Sequence, residues 1–460
     1  MKKLLLTLAI GTSLFTFCEG QYTDLLNFNG INGAYAYGSL TISGTTLYGM
    51  AQKGGVHHYG CLFSFNTIGN IYTDLFDFNG IKGAYPAGSL ILSGTTLYGM
   101  AGQGGANSDG CVFSFNTVGN VYTDLLDFNG SNGKFPSNSL TLLGTTLYGM
   151  TYEGGAHNEG CVFSLNTVGN AYTDLLDFNI TNGAYPQGSL ILSGTTLYGM
   201  TQGGGAHSDG CVFSLNTVGN VYTDLLDFNA INGDFPTGSL ILSGTTLYGM
   251  TNEGGANSDG NVFSFNTSGN VYTDLFDFNY TNGQYPQGSL ILSGTTLYGM
   301  TWWGGTDDLG RVFSINTDGT GFTDLLDFNG TNGEYPEGDL TLSGNSLYGM
   351  TQYGGTKDSG VIFSLKIPGL GVNNLAVNTA AINVYPNPNN GRFTIKSSVV
   401  SGQSSVEVYN LLGEKVYSQL STFNSQLSID LSSQPSGVYL YRVVATNGEL
   451  MGEGKIIIQK

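Results

Sequence analysis

Apolar residues along this chain come in short bursts separated by glycine-bearing segments. Between residues 189 and 229 four bursts follow one another: Ser189 to Leu192, Thr195 to Thr201, Cys211 to Thr217 and Tyr222 to Asn229. They are rich in Val, Leu, Phe, Tyr and Thr, which suit a pleated surface. The separators Ser193 to Thr196 and Asn216 to Asn220 are hairpin-sized, and their glycines can take the positive φ that a tight turn demands. The pattern predicts four antiparallel strands.

That unit repeats. Tyr22 to Asn29 recurs from Tyr72, Tyr122, Tyr172, Tyr222 and Tyr272, and as Phe322 to Asn329, always 50 residues apart. A second block, Ser39 to Met50, returns in register through Asp339 to Met350. Four antiparallel strands per copy describe a propeller blade. The body opens with a lone Tyr22 to Asn29 strand and ends, across Asp339 to Leu365, with three strands and no fourth. If the first strand completes the last set, the ring closes and no sheet edge is left open. The expected fold is therefore all-β, a seven-bladed β-propeller closed by its N-terminal strand and followed by a small β-sandwich. An elongated β-solenoid, the alternative, would show shorter rungs and need caps.

Differences between copies gather in two places. One is the loop between the second and third strands, at Gln52-Lys53, Tyr152-Glu153, Trp302-Trp303 and Gln352-Tyr353. The other is the connection between copies, at Ile31, Ser131, Ile180 and Tyr280. In a propeller both sets share one face, which makes that face the candidate binding surface; neutral drift on exposed loops would give the same variation.

Composition adds direction. Met1 to Lys3 followed by the apolar run Leu4 to Phe17 has the form of a signal peptide spanning residues 1–20, with Gln21 as the mature start. No other segment is apolar for long enough to be transmembrane. Gly numbers 72, charged residues are 10% and the formal charge is -19. Residues 21–366 contain six Lys and Arg, whereas the chain from 367 onward has six of its own against five acids. An acidic body poor in cations argues against nucleic acid as a partner.

The period stops after Lys366, and residues 367–380 read as a linker to a C-terminal module at 381–460. Alternation in Val438 to Val443 and a turn from Leu412 to Lys415 predict the β-sandwich there. Tyr385-Pro386-Asn387-Pro388 with Gly391, a central Val408-Tyr-Asn-Leu-Leu-Gly413, Gly437 and Tyr439, and a Lys-bearing end from Lys455 to Lys460 resemble the type A sorting domain of the type IX secretion system of Bacteroidota. That resemblance implies passage of a folded body across the outer membrane by the type IX machinery, with release or surface attachment afterwards. In the body, Tyr198-Gly-Met-Thr-Gln-Gly-Gly-Gly205 and Gly210-Cys-Val-Phe-Ser-Leu215 are similar to the bacterial tandem repeats called GloVer, with Met for a usual Thr and Cys often for another. No catalytic residue comes with that family.

The chemistry-bearing residues favour bland roles. Cys61, Cys111, Cys161 and Cys211 hold one position in four successive copies, too far apart for bridging, and read as separate buried thiols. His57, His58, His157 and His207 lie in loops without zinc-like spacing. Acid pairs such as Asp74 with Asp77 recur in nearly every copy and read as solvated edge charges that block strand pairing. No metal site, cofactor, nucleophile elbow, phosphate loop or triad is expected. Tyr152, Trp302, Trp303 and Tyr353 are the candidate ligand contacts, because aromatic faces stack on sugars or anchor protein partners; local packing is the other reading. The expected protein is a secreted or surface-bound, non-catalytic binder of glycans or proteins, serving adhesion or scaffolding. Two alternatives stand beside it: a secreted polysaccharide-degrading enzyme using Glu153, Glu159, Glu334 or Glu337, and a structural surface protein without a specific ligand.

Overall fold

A computed structural model describes residues 21–367, 383–396, 402–410, 415–423, 426–445 and 450–460. The expected signal peptide at 1–20, most of the expected linker and the predicted turn at 412–415 (except Lys415) lie outside these residues. The chain divides into two compact units, residues 1–370 and 371–460. The described residues are all-β, without a helix.

The first unit consists of seven four-stranded antiparallel sheets, numbered here in chain order. Sheet 4 is representative, with strands Ile191–Ser193, Thr196–Thr201, Cys211–Asn216 and Val221–Asp227. Its pairing runs Leu197 to Leu215 and Ser214 to Thr223, with a bulge in the fourth strand beside Val212 and Phe213. Sheet 7 draws three strands from Thr341–Ser343, Ser346–Met350 and Val361–Lys366 and its fourth from Gln21–Asn27. Gln21 pairs with Lys366 and Asn27 with Val361, so the two ends of the repeat array share one sheet.

Period-two alternation packs the sheets on each other. Met150 and Val162 of sheet 3 point one way and meet Leu197, Phe213 and Leu215 of sheet 4. Leu147 and Phe163 point the other way and meet Met100 and Val112 of sheet 2. The same set joins the array's ends, where Met350 and Ile362 of sheet 7 lie against Leu47, Phe63 and Phe65 of sheet 1. Gly149 is required by this packing: a Cβ there would come 2.6 Å from Cζ of the buried Phe163 ring.

Outside sheet 2, whose first strand runs Ala84–Ser93 with a register shift between Ala87 and Ile91, the first strands are shorter than the sequence pattern suggests, and the reason lies in the Gly-Ser pair before them. Gly188 abuts the next copy's Gly238, whose carbonyl oxygen a Cβ would strike. The Ser189 amide donates to Ser239 Oγ at 2.8 Å, and the equivalent bond recurs from each copy to the next. In the last two links the Ser289 amide donates to Asp339 Oδ1 at 2.5 Å and the Asp339 amide to Ser39 Oγ at 2.9 Å. These residues serve copy-to-copy contact rather than strand pairing.

In the second unit, one sheet holds Asn383–Tyr385, Arg392–Lys396 and Gln426–Asp430, and the other holds Lys415–Phe423, Gly402–Tyr409, Gly437–Ala445 and Leu450–Ile458. They share a core that includes Phe393, Ile395, Val406, Tyr439 and Ile456.

Candidate functional site

Two variable segments of the sequence meet through backbone pairing. Trp302 and Trp303 follow the second strand of sheet 6. The Trp303 amide donates to the Gln284 carbonyl at 3.1 Å and the Trp302 amide to that of Tyr285 at 3.2 Å. One copy on, the Tyr335 amide donates to Leu309 of the same loop at 2.9 Å. Each variable loop is thus bound to the connection before its own sheet and to the connection before the next.

A run of aromatic rings results. Trp303 lies 6.2 Å from Tyr285 and stacks on Trp302 at 5.3 Å with an interplanar angle of 14°. Trp302 lies 5.5 Å from Tyr335, which lies 6.0 Å from Tyr353. Tyr353 lies 4.6 Å from Tyr35, whose ring carries Lys53 Nζ at 4.0 Å. Trp303 is exposed, the others are half-buried, and the Trp302 indole N–H is buried without a partner. Of the residues singled out from sequence, this shelf joins Trp302, Trp303 and Tyr353. Tyr152 stands apart, 5.3 Å from Tyr185 and donating to Gln202 at 3.3 Å.

Tyr35, Tyr285 and Tyr335 belong to a column that sequence reasoning missed: Tyr35, Tyr85, Phe135, Tyr185, Phe235, Tyr285 and Tyr335 all have positive φ, between 49° and 56°. A bulky residue there costs roughly 1–3 kcal/mol, so each copy holds its ring against strain. The signal was an unvarying aromatic column, followed by proline in all copies but the first.

The repeated acids differ from expectation. Asp74 is exposed, but Asp77 is half-buried and accepts the Val56 amide at 3.0 Å. The same bond fixes Ala106, Ala156, Ala206 and Ala256 to Asp127, Asp177, Asp227 and Asp277. The second acid of each pair therefore anchors the variable loop instead of guarding an edge. Partial desolvation of its carboxyl, then the neighbouring Asp77, raises Asp74 to about 6 although the residue as a whole is exposed.

Cys61, Cys111, Cys161 and Cys211 are free and buried, and burial pushes their thiols up to about 12. In sheet 6 Arg311 takes that place, 3.3 Å from Asp324 and 3.0 Å from Asp327, and donates to the Thr281 carbonyl. Phe322, where other copies have Tyr, has no hydroxyl to give the Asn282 carbonyl as Tyr222 gives its own to that of Asn182. The four histidines are exposed. Among the described residues no group of three His, Cys, Asp or Glu is placed to hold a metal ion.

The four acids considered for catalysis occupy separate settings. Glu153 pairs with Lys134 at 2.8 Å, and Tyr185 donates to Glu159. Burial, then the facing Asp358, raises Glu334. Glu337 is 8% exposed and raised to about 7 by burial, against which a hydrogen bond from Tyr37 acts. It lines a cavity of about 420 Å³ to which every copy contributes its Gly-Ser segment or the Asn138-Ser139 and Gly338-Asp339 equivalents.

The Gloeobacter/Verrucomicrobia repeat model matches residues 10–164, 143–301 and 236–391, which together cover most of the chain. The chain belongs to the Gloeobacter/Verrucomicrobia repeat family. Residues 383–459 match the secretion system C-terminal sorting domain, that of type IX secretion. The protein is therefore exported, to the cell surface or beyond it, and engages the secretion machinery. Among the described residues no helix is long and apolar enough to cross a membrane.

The sorting landmarks have structural work in their own unit. Asn387 donates to the Lys455 carbonyl at 2.9 Å and accepts from the Ile457 amide at 2.8 Å. Tyr439 is in the core with its hydroxyl on the Pro435 carbonyl at 2.9 Å. Tyr385, just before Pro386, is 46% exposed.

No curated protein sequence matches the chain. Among solved structures, a puromycin hydrolase S511A mutant complexed with PGG aligns at TM-score 0.51 and 10% identity, over 81% of this chain and 62% of its own. The extracellular domain of the hybrid two-component system BT3049 from B. thetaiotaomicron aligns at 0.50 and 11%, over 95% and 57%. PorZ, a surface component of the type IX secretion system of Porphyromonas gingivalis, aligns at 0.48 and 13%, over 95% and 60%. The chain spans less than two thirds of each, and at these identities the first two likenesses are of fold alone.

Proposed function

We propose that this exported protein is a glycan-binding module whose seven sheets are the blades of a closed propeller. The Gln21–Asn27 strand closes the ring, and one loop face carries the ligand. Support for closure comes from the shared sheet 7 and from the Ser289 to Asp339 to Ser39 hydrogen bonds. The observation that carries the binding reading is the shelf from Tyr285 through Trp303, Trp302, Tyr335 and Tyr353 to Tyr35. A pyranose presents a face of C–H groups that packs on an aromatic ring while its hydroxyls stay in water, and a row of half-buried rings offers successive sugars such a platform. The unpartnered Trp302 N–H supplies a donor beside it. Tyr152 with Tyr185 forms a lesser platform elsewhere on the loops.

The test applies the mature protein to a glycan array and assays each captured glycan for cleavage. Expected are binding without released fragments and at least a tenfold loss in the Trp302→Ala, Trp303→Ala variant, whose fold is checked by its melting curve. Retained binding in a folded double variant, or release of shorter oligosaccharides, overturns the proposal.

A further inference from the structure

The cavity of about 420 Å³ among the Gly-Ser segments is separate from the aromatic shelf and is built of polar groups. Pockets that take small molecules start near this size, roughly 300 Å³. Its wall contains Glu337 and Asp339 from sheet 7 and no Lys or Arg. Glu337 is 8% exposed; one carboxylate oxygen is buried with no hydrogen-bond partner, while Tyr37 donates to the group. Asn138 is 3% exposed, and both its amide atoms are buried without partners. Ser137 Oγ beside it and Asn252 Oδ1 in sheet 5 are likewise unpartnered. Buried polar atoms are nearly always paired, so several orphans around one cavity mark the place of a missing partner.

The orphans have a pattern. A carboxylate stands on the sheet 7 side, and amide and hydroxyl groups stand on the side of sheets 3 and 5. Acceptors predominate, in Glu337, Asn138 and Asn252. The complementary ligand has a cationic donor at one end and hydroxyls along its body, because an uncompensated buried carboxylate is costly and a protonated amine relieves it. A bare metal ion would leave the remote amides unsatisfied.

We infer that this cavity is a binding site for a small hydroxylated primary amine of the free amino-sugar class, with the ammonium on Glu337 and the hydroxyls on Asn138, Ser137 and Asn252. The cavity shares no lining residue with the shelf, so each can fail alone.

Calorimetric titration of the full mature chain with glucosamine, N-acetylglucosamine and glucose tests it. One glucosamine per chain is expected, with the two uncharged sugars at least tenfold weaker. Glu337→Gln should bring glucosamine down to the level of N-acetylglucosamine, whereas His57→Ala, on an exposed loop outside both the cavity and the shelf, should leave its affinity unchanged. Asn138→Gly, which restores the residue of other copies, should weaken all three sugars while keeping the fold. No binding of glucosamine, equal affinity for the charged and uncharged sugars, or an unaffected Glu337→Gln variant overturns the inference.

Discussion

Replacing Glu337 by Gln should stabilise the ligand-free protein at neutral pH and leave it unchanged in acid. The carboxyl sits at 8% exposure, and burial raises it from the ordinary 4.5 to about 7. A raised carboxyl favours folding while protonated: that contribution is complete below about pH 4.5 and is lost as pH climbs through 7, where the folded state must hold a buried charge. The difference corresponds to about 3 kcal/mol. Gln has the same shape, accepts from Tyr37 and never ionises. With an unfolding entropy of about 2.1 cal/mol/K per residue over roughly 350 residues, 3 kcal/mol becomes a Tm gain of about 4 °C. Thermal unfolding of both proteins from pH 4 to pH 8.5 measures it: the curves should coincide near pH 4 and separate by about 4 °C above pH 7.5. Other acids titrate alike in both proteins and cancel. A separation independent of pH, or a less stable variant at pH 8, would refute the burial argument.

Three further outcomes follow from the packing. Arg311→Cys should cost about 1–3 kcal/mol at pH 7, because Asp324 and Asp327, both partly exposed and so partly screened by water, lose their cation; the loss should shrink as pH falls and the carboxylates protonate. Beginning the chain at Phe28 should leave the Val361–Lys366 edge unpaired and shift the protein to oligomers on size-exclusion chromatography. Gly391→Ala should lower export, measured as the fraction of protein on cells and in the medium, because φ is +100° and a Cβ would sit 2.6 Å from Ser432 Cα.

Strand content was legible because the same alternation recurs in seven copies, and the lone first strand with a three-stranded end gave the pairing of Gln21–Asn27 with Val361–Lys366. The candidate rings Trp302, Trp303 and Tyr353 were visible as large residues in a loop otherwise polar. Their partners were not, since Tyr285, Tyr335 and Tyr35 sit in a column that is aromatic in every copy, and variation between copies does not mark such a column. The part of Asp77 escaped for another reason. Its loop contact lies 21 residues away and depends on a bulge that no alternation reveals. Glu337 is visible in sequence as a loop acid, but its burial follows from the approach of the five Gly-Ser segments and their Asn138-Ser139 and Gly338-Asp339 equivalents, which only the assembled sheets express.

Trp302 and Trp303 are the chain's only tryptophans, so tryptophan emission excited beyond the tyrosine absorption band reports on the shelf alone. The mature protein should be titrated with the oligosaccharide it holds best on the array. Recognition on the shelf predicts a saturable change in tryptophan emission whose Kd equals that from calorimetry. Saturable heat with unchanged emission would place the ligand elsewhere and contradict the account.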